Sequence, residues 1–475
     1  MVKPFAHQAR EYEQHAFDDA RSLTWEMRTG KSKAVIDNAC LLYQLGEIDG
    51  VIVIAPNGVH RNWTLNQLPI HHSPNVEYIE HAWRFSDKDN DAKFAAFLAL
   101  SNAIPNELAW LTINMEVLID DRVKLAIKQF IRSRRKFMLV VDESHHFGAP
   151  GSKRVGVAKG LAKQARYRRN LTGTPMEETP LQAYAQFQIL KKGVITSHPG
   201  GDFASFENEF AEYEMSRGRR TYPVLKGYKN LDVLKARMAP YTSVVLRSDC
   251  EDLPEVQYDT RIVELSESGN ASWHAFKQSD VRWLLRHGFD EPPDGGALLT
   301  KLQQVECGAF ITPNGIKYLD DEPKFNVVLE EMKGYASVVF CTYIHEIELL
   351  AMKLKDHRFH IGIVHGKAPR REENIADFQA GLLDALVVQS SCVSEGYKLD
   401  AADKLIWHSA THTARIRAQG NARASLVGGN RKQVIDIYTP GGVDEYFLSL
   451  TKRKTNLADE VSRIGLRTII ERLNV

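Results

Sequence analysis

The feature that most constrains this chain is an acidic pair at the end of an apolar run, answered well upstream by a short glycine-lysine-serine turn. Phe137-Met-Leu-Val-Val141 is short, β-branched and aromatic, so it reads as a buried strand, and Asp142-Glu143-Ser144-His145 follows it directly. Thr29-Gly30-Lys31-Ser32 closes a loop and opens a helical stretch beginning Lys33-Ala-Val-Ile. Backbone N–H groups in such a loop, backed by a helix N-terminus, surround phosphate oxygens. Lys31 then reaches the β- and γ-phosphates, and the Ser32 hydroxyl ligates Mg2+. Asp142, at a strand's C-terminal end in the same sheet, holds the Mg2+ shell, while Glu143 orients or deprotonates a water. Each motif alone has a plainer reading, as a surface turn or a solvated strand-end pair. Their occurrence together selects ATP binding, although Trp25 stands where the first glycine of the longer phosphate-loop pattern is expected.

Around these motifs the chain alternates short apolar runs with amphipathic segments. Val51-Ile-Val-Ile-Ala55 is a second strand of the first half, with helical stretches at Asp91 to Leu100 and Val117 to Ile131. The rhythm returns in Ser337-Val-Val-Phe-Cys341, Ile361-Gly-Ile-Val364, Ala385-Leu-Val-Val388, Lys404-Leu-Ile-Trp407 and Val434-Ile-Asp-Ile-Tyr438. Helices at His345 to Leu354 and Glu372 to Phe378 separate several of these strands. Such alternation predicts an α/β fold with parallel sheets covered on both faces. A chain of 475 residues exceeds what one core organises, so two or three domains are expected, and the returning rhythm marks a second α/β unit. Between them, Leu181 to Glu330 is charged, aromatic and largely helical, broken at Ser216-Arg-Gly-Arg-Arg220 and Asp290-Glu-Pro-Pro-Asp-Gly-Gly296.

Charge does not name a partner here, because 61 Lys and Arg nearly cancel 60 Asp and Glu. Any nucleic-acid surface must therefore be a local basic patch. The five cysteines are scattered and form no CxxC pair, which argues against a zinc site or disulfide framework and fits a reducing compartment. No apolar run approaches the ~20 residues that span a bilayer, and Met1-Val-Lys-Pro-Phe5 is no signal peptide. A cytoplasmic protein without membrane attachment is expected.

With Asp142-Glu143-Ser144-His145 in place, the chain resembles the superfamily 2 DExH helicases and translocases, and more closely the Swi/Snf family. Pro4-Phe-Ala-His-Gln8 is similar to the segment whose Gln reads adenine, Trp25 to Ser32 to motif I, Ile52 to Trp63 to motif Ia, and Leu111 to Glu116 to motif Ib. Ser152-Lys153 and Leu171-Thr-Gly-Thr-Pro175 follow, the latter resembling motif III. Leu246-Arg247 with Leu253-Pro254-Glu255, and Lys301 to Cys307, resemble stretches that separate Swi/Snf proteins from other superfamily 2 helicases. Further on, Val339 to Tyr343 resembles motif IV, His365-Gly366 with Arg370-Arg371 the "G…R" motif, and Ser394-Glu-Gly-Tyr-Lys-Leu399 motif V. Gln419-Gly-Asn-Ala-Arg423 resembles the start of motif VI, whose second arginine falls at Leu426 here.

The resemblance implies two RecA-like lobes with helical insertions. Residues 1–190 form the first lobe, 191–320 the insertions and crossover, 321–450 the second lobe and 451–475 a helical tail. It implies ATP and Mg2+ as cofactors, held by Gln8, Thr29, Gly30, Lys31, Ser32, Asp142 and Gly396, with Glu143 activating water and Arg423 sensing the γ-phosphate. Thr172 and Thr174 couple the nucleotide to the DNA track. Backbone contacts to DNA, duplex preferred, fall to Asn57, Arg61, Asn114, Lys153, Thr342, Lys367, Ser391 and Lys398. Arg217, Arg219 and Arg220 fit either a DNA-gripping excursion or a solvated loop, whereas Arg132 to Lys136 reads as a solvated sheet edge. The expected activity is ATP-driven movement of a monomer along double-stranded DNA. A strand-separating or branch-migrating helicase and a weakly hydrolysing, nucleotide-gated DNA-binding module are the alternatives, the latter because Leu426 leaves Arg423, Arg431 or Lys432 to supply the charge. The form is similar to stand-alone Swi/Snf-type ATPases of bacteria and their phages, and any protein partner is unidentified.

Overall fold

The computed structural model describes residues 3–57, 59–83, 91–99, 106–134, 136–173, 176, 179–197, 201–215, 223–250, 256–319, 323–395, 399–423, 432–453 and 457–475. The chain divides into two compact units, Met1–Glu251 and Asp252–Val475. Among the described residues, no helix is long and apolar enough to cross a membrane.

The first unit carries β1 (Ala20–Trp25), β2 (Gly50–Ala55), β3 (Tyr78–Trp83), β4 (Leu108–Asn114), β5 (Phe137–Asp142), β6 (Tyr167–Thr172), β7 (Ala211–Met215), β8 (Pro223–Tyr228) and β9 (Thr242–Val245). Seven of these form one sheet, ordered β3-β4-β2-β5-β6-β1-β9, with every pairing parallel. β2, β4 and β5 are buried along their whole length, as a sheet covered on both faces requires. On one face Ile52, Ile54, Leu111, Ile113, Leu139 and Val141 pack with Val123, Ile127 and Phe130 of the helix Asp121–Ser133.

The second unit carries β10 (Val256–Ile262), β11 (Ala309–Thr312), β12 (Gly315–Tyr318), β13 (Ser337–Cys341), β14 (Ile361–Val364), β15 (Ala385–Gln389), β16 (Lys404–Trp407) and β17 (Lys432–Tyr438). Its six-stranded sheet, β10-β17-β16-β13-β15-β14, is again parallel throughout. The α/β architecture with two parallel sheets is the expected one.

Two local expectations are corrected. The helix expected from Val117 begins instead at Asp121, because Asp120 accepts the Val123 N–H at 3.2 Å and caps it there. Met115–Ile119 is a tighter 3-10 turn, started by Asn114 accepting from Glu116 N at 2.8 Å. The middle stretch, expected to be largely helical, also supplies strands. β9 extends the first sheet beside β1, β10 edges the second beside β17, and β7–β8 and β11–β12 are antiparallel hairpins. β9 is only four residues long and β10 alternates polar with apolar at a half-exposed edge, so neither presents a continuous apolar run.

The second unit is built around a buried polar cluster. Glu306 accepts from Val443 N at 2.7 Å, Asp444 N at 3.1 Å and Trp273 Nε1 at 3.2 Å, so it caps the helix Val443–Lys452 from a distant part of the chain. Asp444 accepts from Gln303 Nε2 at 2.7 Å and Ala410 N at 2.8 Å, and it pairs with Lys324. Burial and the neighbouring Asp444 carboxylate push the Glu306 carboxyl up to about 7 from its ordinary 4.5. The folded unit therefore binds a proton, between those two values, that the unfolded chain releases. That contribution is fully present below about pH 4.5 and is lost as pH rises through about 7. Stability should fall by on the order of 1–3 kcal/mol from about pH 5 to about pH 8, and Glu306→Gln should flatten this slope in denaturant titrations at the two pH values.

Candidate nucleotide site and nucleic-acid contacts

Parallel pairing sets the C-terminal ends of β1, β6 and β5 side by side, with Thr24 opposite Thr172 and Leu171 opposite Asp142. The loop leaving β1 is anchored at its root. Trp25, fully buried, donates through Nε1 to Ser243 Oγ at 2.9 Å, and Glu26 N donates to Val245 O at 2.9 Å. Arg247 N donates to Glu26 Oε2 at 2.8 Å. Trp25 thus takes the place of the missing glycine as the last residue of β1, registered against Val245. Thr29 Oγ1 donates to Glu26 O at 2.7 Å and tightens the turn. Gly30 then caps the helix Lys31–Gln44 at φ 83°, in the left-handed region where a side chain is strained.

Gln8 braces this loop from the first helix, Ala6–His15. Its Nε2 donates to Thr29 O at 3.2 Å and Gly30 O at 3.1 Å, while its Oε1 accepts from Phe5 N at 2.9 Å. His7 Nε2 lies 2.7 Å from Thr29 O. The expected adenine reader is therefore engaged with the phosphate loop itself. Lys31 Nζ donates to Trp25 O at 2.7 Å and Glu26 O at 3.3 Å. Burial holds the Lys31 ammonium below its usual range, against the opposing pull of Glu143, Asp142 and Glu26.

Asp142 closes β5 and is buried; its Oδ2 accepts from Trp63 Nε1 at 2.8 Å and its Oδ1 from Glu143 N at 3.0 Å. Glu143 turns the chain at φ 49°, which sends the backbone sharply off the strand. Its Oε2 is buried and accepts no hydrogen bond from the described residues, although His145 Nδ1 lies 3.4 Å away. His145 Nδ1 also lies 3.0 Å from Thr172 Oγ1, joining the Asp-Glu-Ser-His turn to the end of β6. Burial first, and then the charge of Glu143, push the Asp142 carboxyl up to about 6. Two adjoining carboxylates, an ammonium, the Ser32 hydroxyl and a helix N-terminus behind Gly30 form a set of groups that fits a nucleoside triphosphate with Mg2+.

The structure thus brings Gln8 into direct contact with Thr29 and Gly30, and places Asp142 and Glu143 near Lys31. Asn57 and Asn114 also meet: Asn114 Nδ2 donates to Asn57 Oδ1 at 3.2 Å, just past the ends of neighbouring strands. Arg61 is half-buried in the short helix Val59–Asn62 that follows. Lys153 is exposed at the start of the helix Lys153–Ala162 and lines a surface groove of about 490 Å³ with Ile119, Asp121 and Lys124.

In the second unit Thr342, Lys367 and Ser391 follow β13, β14 and β15, and so share the C-terminal edge of that sheet. Thr342 is held inward, its Oγ1 accepting from Ser409 Oγ at 3.0 Å and its N donating to Glu346 Oε2 at 3.0 Å. Lys367 and Ser391 are exposed, and Arg423 ends the helix Ala414–Ala422. Lys432 is corrected as a substitute for the missing arginine: it is buried, and its Nζ donates to Asp400 O at 3.1 Å and to Ala402 O. Gly396, Lys398, Leu426 and Arg431 lie outside the described residues, as do Thr174, Arg217, Arg219, Arg220 and Leu253-Pro254-Glu255. Sequence reasoning missed the Trp63–Asp142 bond and the Trp25–Ser243 bond, which join residues 79 and 218 positions apart and leave no local signal.

The model of the SNF2-related domain matches residues 9–304, and that of the helicase conserved C-terminal domain matches residues 323–425. The chain belongs to the SNF2-related family, and is a nucleotide-hydrolysing ATPase core of helicase superfamily 2. No curated protein matches it by sequence. Among solved structures, it is similar to the Hef helicase domain of Pyrococcus furiosus, with 13% identity and a TM-score of 0.54 over 94% of this chain and 98% of that one. It is also similar to the Sulfolobus solfataricus SWI2/SNF2 ATPase core in complex with dsDNA, with 15% identity and a TM-score of 0.42 over 99% and 97% of the two chains.

A Cβ at Gly30 would stand 1.9 Å from Gln8 Nε2. Gly30→Ala should therefore lower stability by at least about 1 kcal/mol, read by thermal denaturation, and weaken binding of a fluorescent ATP analogue at least about tenfold.

Proposed function

We propose that this chain is an ATP-dependent translocase on double-stranded DNA. The observation that carries the reading is the cluster of Lys31, Asp142 and Glu143 at the C-terminal edge of the first parallel sheet, in a chain of the SNF2-related family. Bound ATP with Mg2+ supplies the phosphoryl group and neutralises its charge. Lys31 leaves the Trp25 and Glu26 carbonyls to meet phosphate oxygens, while Ser32 and Asp142 hold the metal. Glu143, whose Oε2 has no hydrogen-bond donor among the described residues, orients the attacking water and takes its proton. His145 and Thr172 pass the change at the carboxylates to the end of β6.

DNA is held through its phosphates, which need hydroxyl, amide and cationic groups rather than base readers. Asn57, Arg61, Asn114 and Lys153 supply these from the first unit, and Thr342, Lys367, Ser391 and Lys398 from the second. The linked pair Asn57 and Asn114 supports a preformed contact, since each fixes the other's amide.

Phosphate release should rise at least about tenfold with duplex DNA over single-stranded DNA, and Lys31→Ala should abolish it. Triplex displacement without fork unwinding is the expected motor signature. Fork opening without triplex displacement identifies a strand-separating helicase instead, and equally slow release by wild type and Lys31→Ala identifies a nucleotide-gated binding module.

A further inference from the structure

A metal-holding carboxylate needs a group that keeps it in place, and here that group lies in the segment after β2. Trp63 is 1% exposed and opens a wide helical turn, Trp63–Gln67, with the π-type hydrogen-bond spacing. Its ring stacks on Trp110 of β4, with centroids 6.2 Å apart and planes inclined by 28°. Trp110, also fully buried, donates through its own Nε1 to His72 Nε2 at 3.3 Å. The Trp63 ring is thus fixed on its face by an indole that is itself pinned. Its one polar atom, Nε1, donates to Asp142 Oδ2 at 2.8 Å.

We infer that Trp63 is the positioning residue for Asp142, holding Oδ2 through its indole N–H so that the carboxylate presents a fixed edge to Mg2+. This rests on the nucleotide reading above. The choice of donor is chemically specific. An indole N–H donates a hydrogen bond but carries no charge and accepts nothing, so it orients the carboxylate without neutralising it. A lysine or arginine there would compete with the cation for the same negative charge. Glu143 N occupies one lone-pair direction of Oδ1 and Trp63 Nε1 one of Oδ2, leaving each oxygen a further direction for a ligand. Partners of this kind, one step out from the metal, govern affinity by about 10–100-fold in other metal sites.

The test is Trp63→Phe, which keeps an aromatic ring against Trp110 and removes the donor together with the smaller ring of the indole. Mn2+ binding in the presence of ADP, followed by paramagnetic resonance, should weaken at least about tenfold, with the thermal midpoint of the metal-free protein within a few degrees of wild type. In turnover, the Mg2+ concentration for half-maximal rate should rise in parallel, and excess Mg2+ should restore much of kcat. Equal Mn2+ affinity in Trp63→Phe and wild type overturns the inference while leaving the nucleotide reading intact. Failure of wild type to bind Mn2+ with ADP, or equal binding by Lys31→Ala and wild type, overturns that reading and the inference with it. Should Trp63→Phe not fold, isotope-labelled tryptophan in the otherwise native chain decides the matter. One indole N–H resonance should move both on Asp142→Asn and on addition of Mg2+ with ADP, and the absence of any signal responding to both overturns the inference.

Discussion

Parallel pairing of β1, β6 and β5 is the constraint on which the rest of the first unit depends. Parallel strands all point their C-terminal ends to one edge, so loops from distant parts of the chain converge without any contact between neighbours in sequence. The phosphate loop leaves β1, the acidic pair leaves β5 and Thr172 ends β6 between them. β9 then joins β1 on its other side, and Ser243 and Val245 of that strand, with Arg247 just beyond it, fix the root of the loop. Without that strand Trp25 would be a large indole at the mouth of a phosphate site; with it, Trp25 is core.

Electrostatics at this edge are arranged for a ligand of mixed charge. Burial disfavours the charged forms of both Lys31 and Asp142, and their opposite charges relieve each other only in part. The ammonium rests on two carbonyl oxygens, and Asp142 rests on two neutral N–H donors. Among the described residues neither makes a direct ion pair, which leaves both available to a ligand carrying phosphate and metal. The second unit solves its polar burial differently. Lys324 and Asp444 form a direct pair, Glu306 caps a helix, and Glu346 accepts from His408 Nδ1 at 2.6 Å and from two backbone N–H groups. These bonds join distant parts of the chain and hold the unit together.

The long strands were legible from sequence because buried parallel strands carry unbroken apolar runs, as β2, β5, β13 and β15 do. The Gly30-Lys31-Ser32 turn and the Asp142-Glu143 pair were legible because phosphate and metal chemistry restricts residue type. β9 and β10 were not, since a four-residue strand and an alternating edge strand carry too little apolar signal to stand apart from helix or loop. The helix start at Asp121 depended on which of two adjacent acidic residues capped it, a choice that local backbone geometry makes.

The sequence by itself determined the two parallel α/β units, the phosphate turn and the acidic pair, because each follows from periodicity or residue chemistry over a few neighbouring positions. Only the tertiary structure decided that Gln8 braces the phosphate loop, that Trp25 is anchored on Ser243, that Lys432 is spent on backbone carbonyls and that Trp63 holds Asp142. Each of these rests on one or two hydrogen bonds between groups 21 to 218 residues apart, made possible by the tertiary fold and invisible to any local pattern.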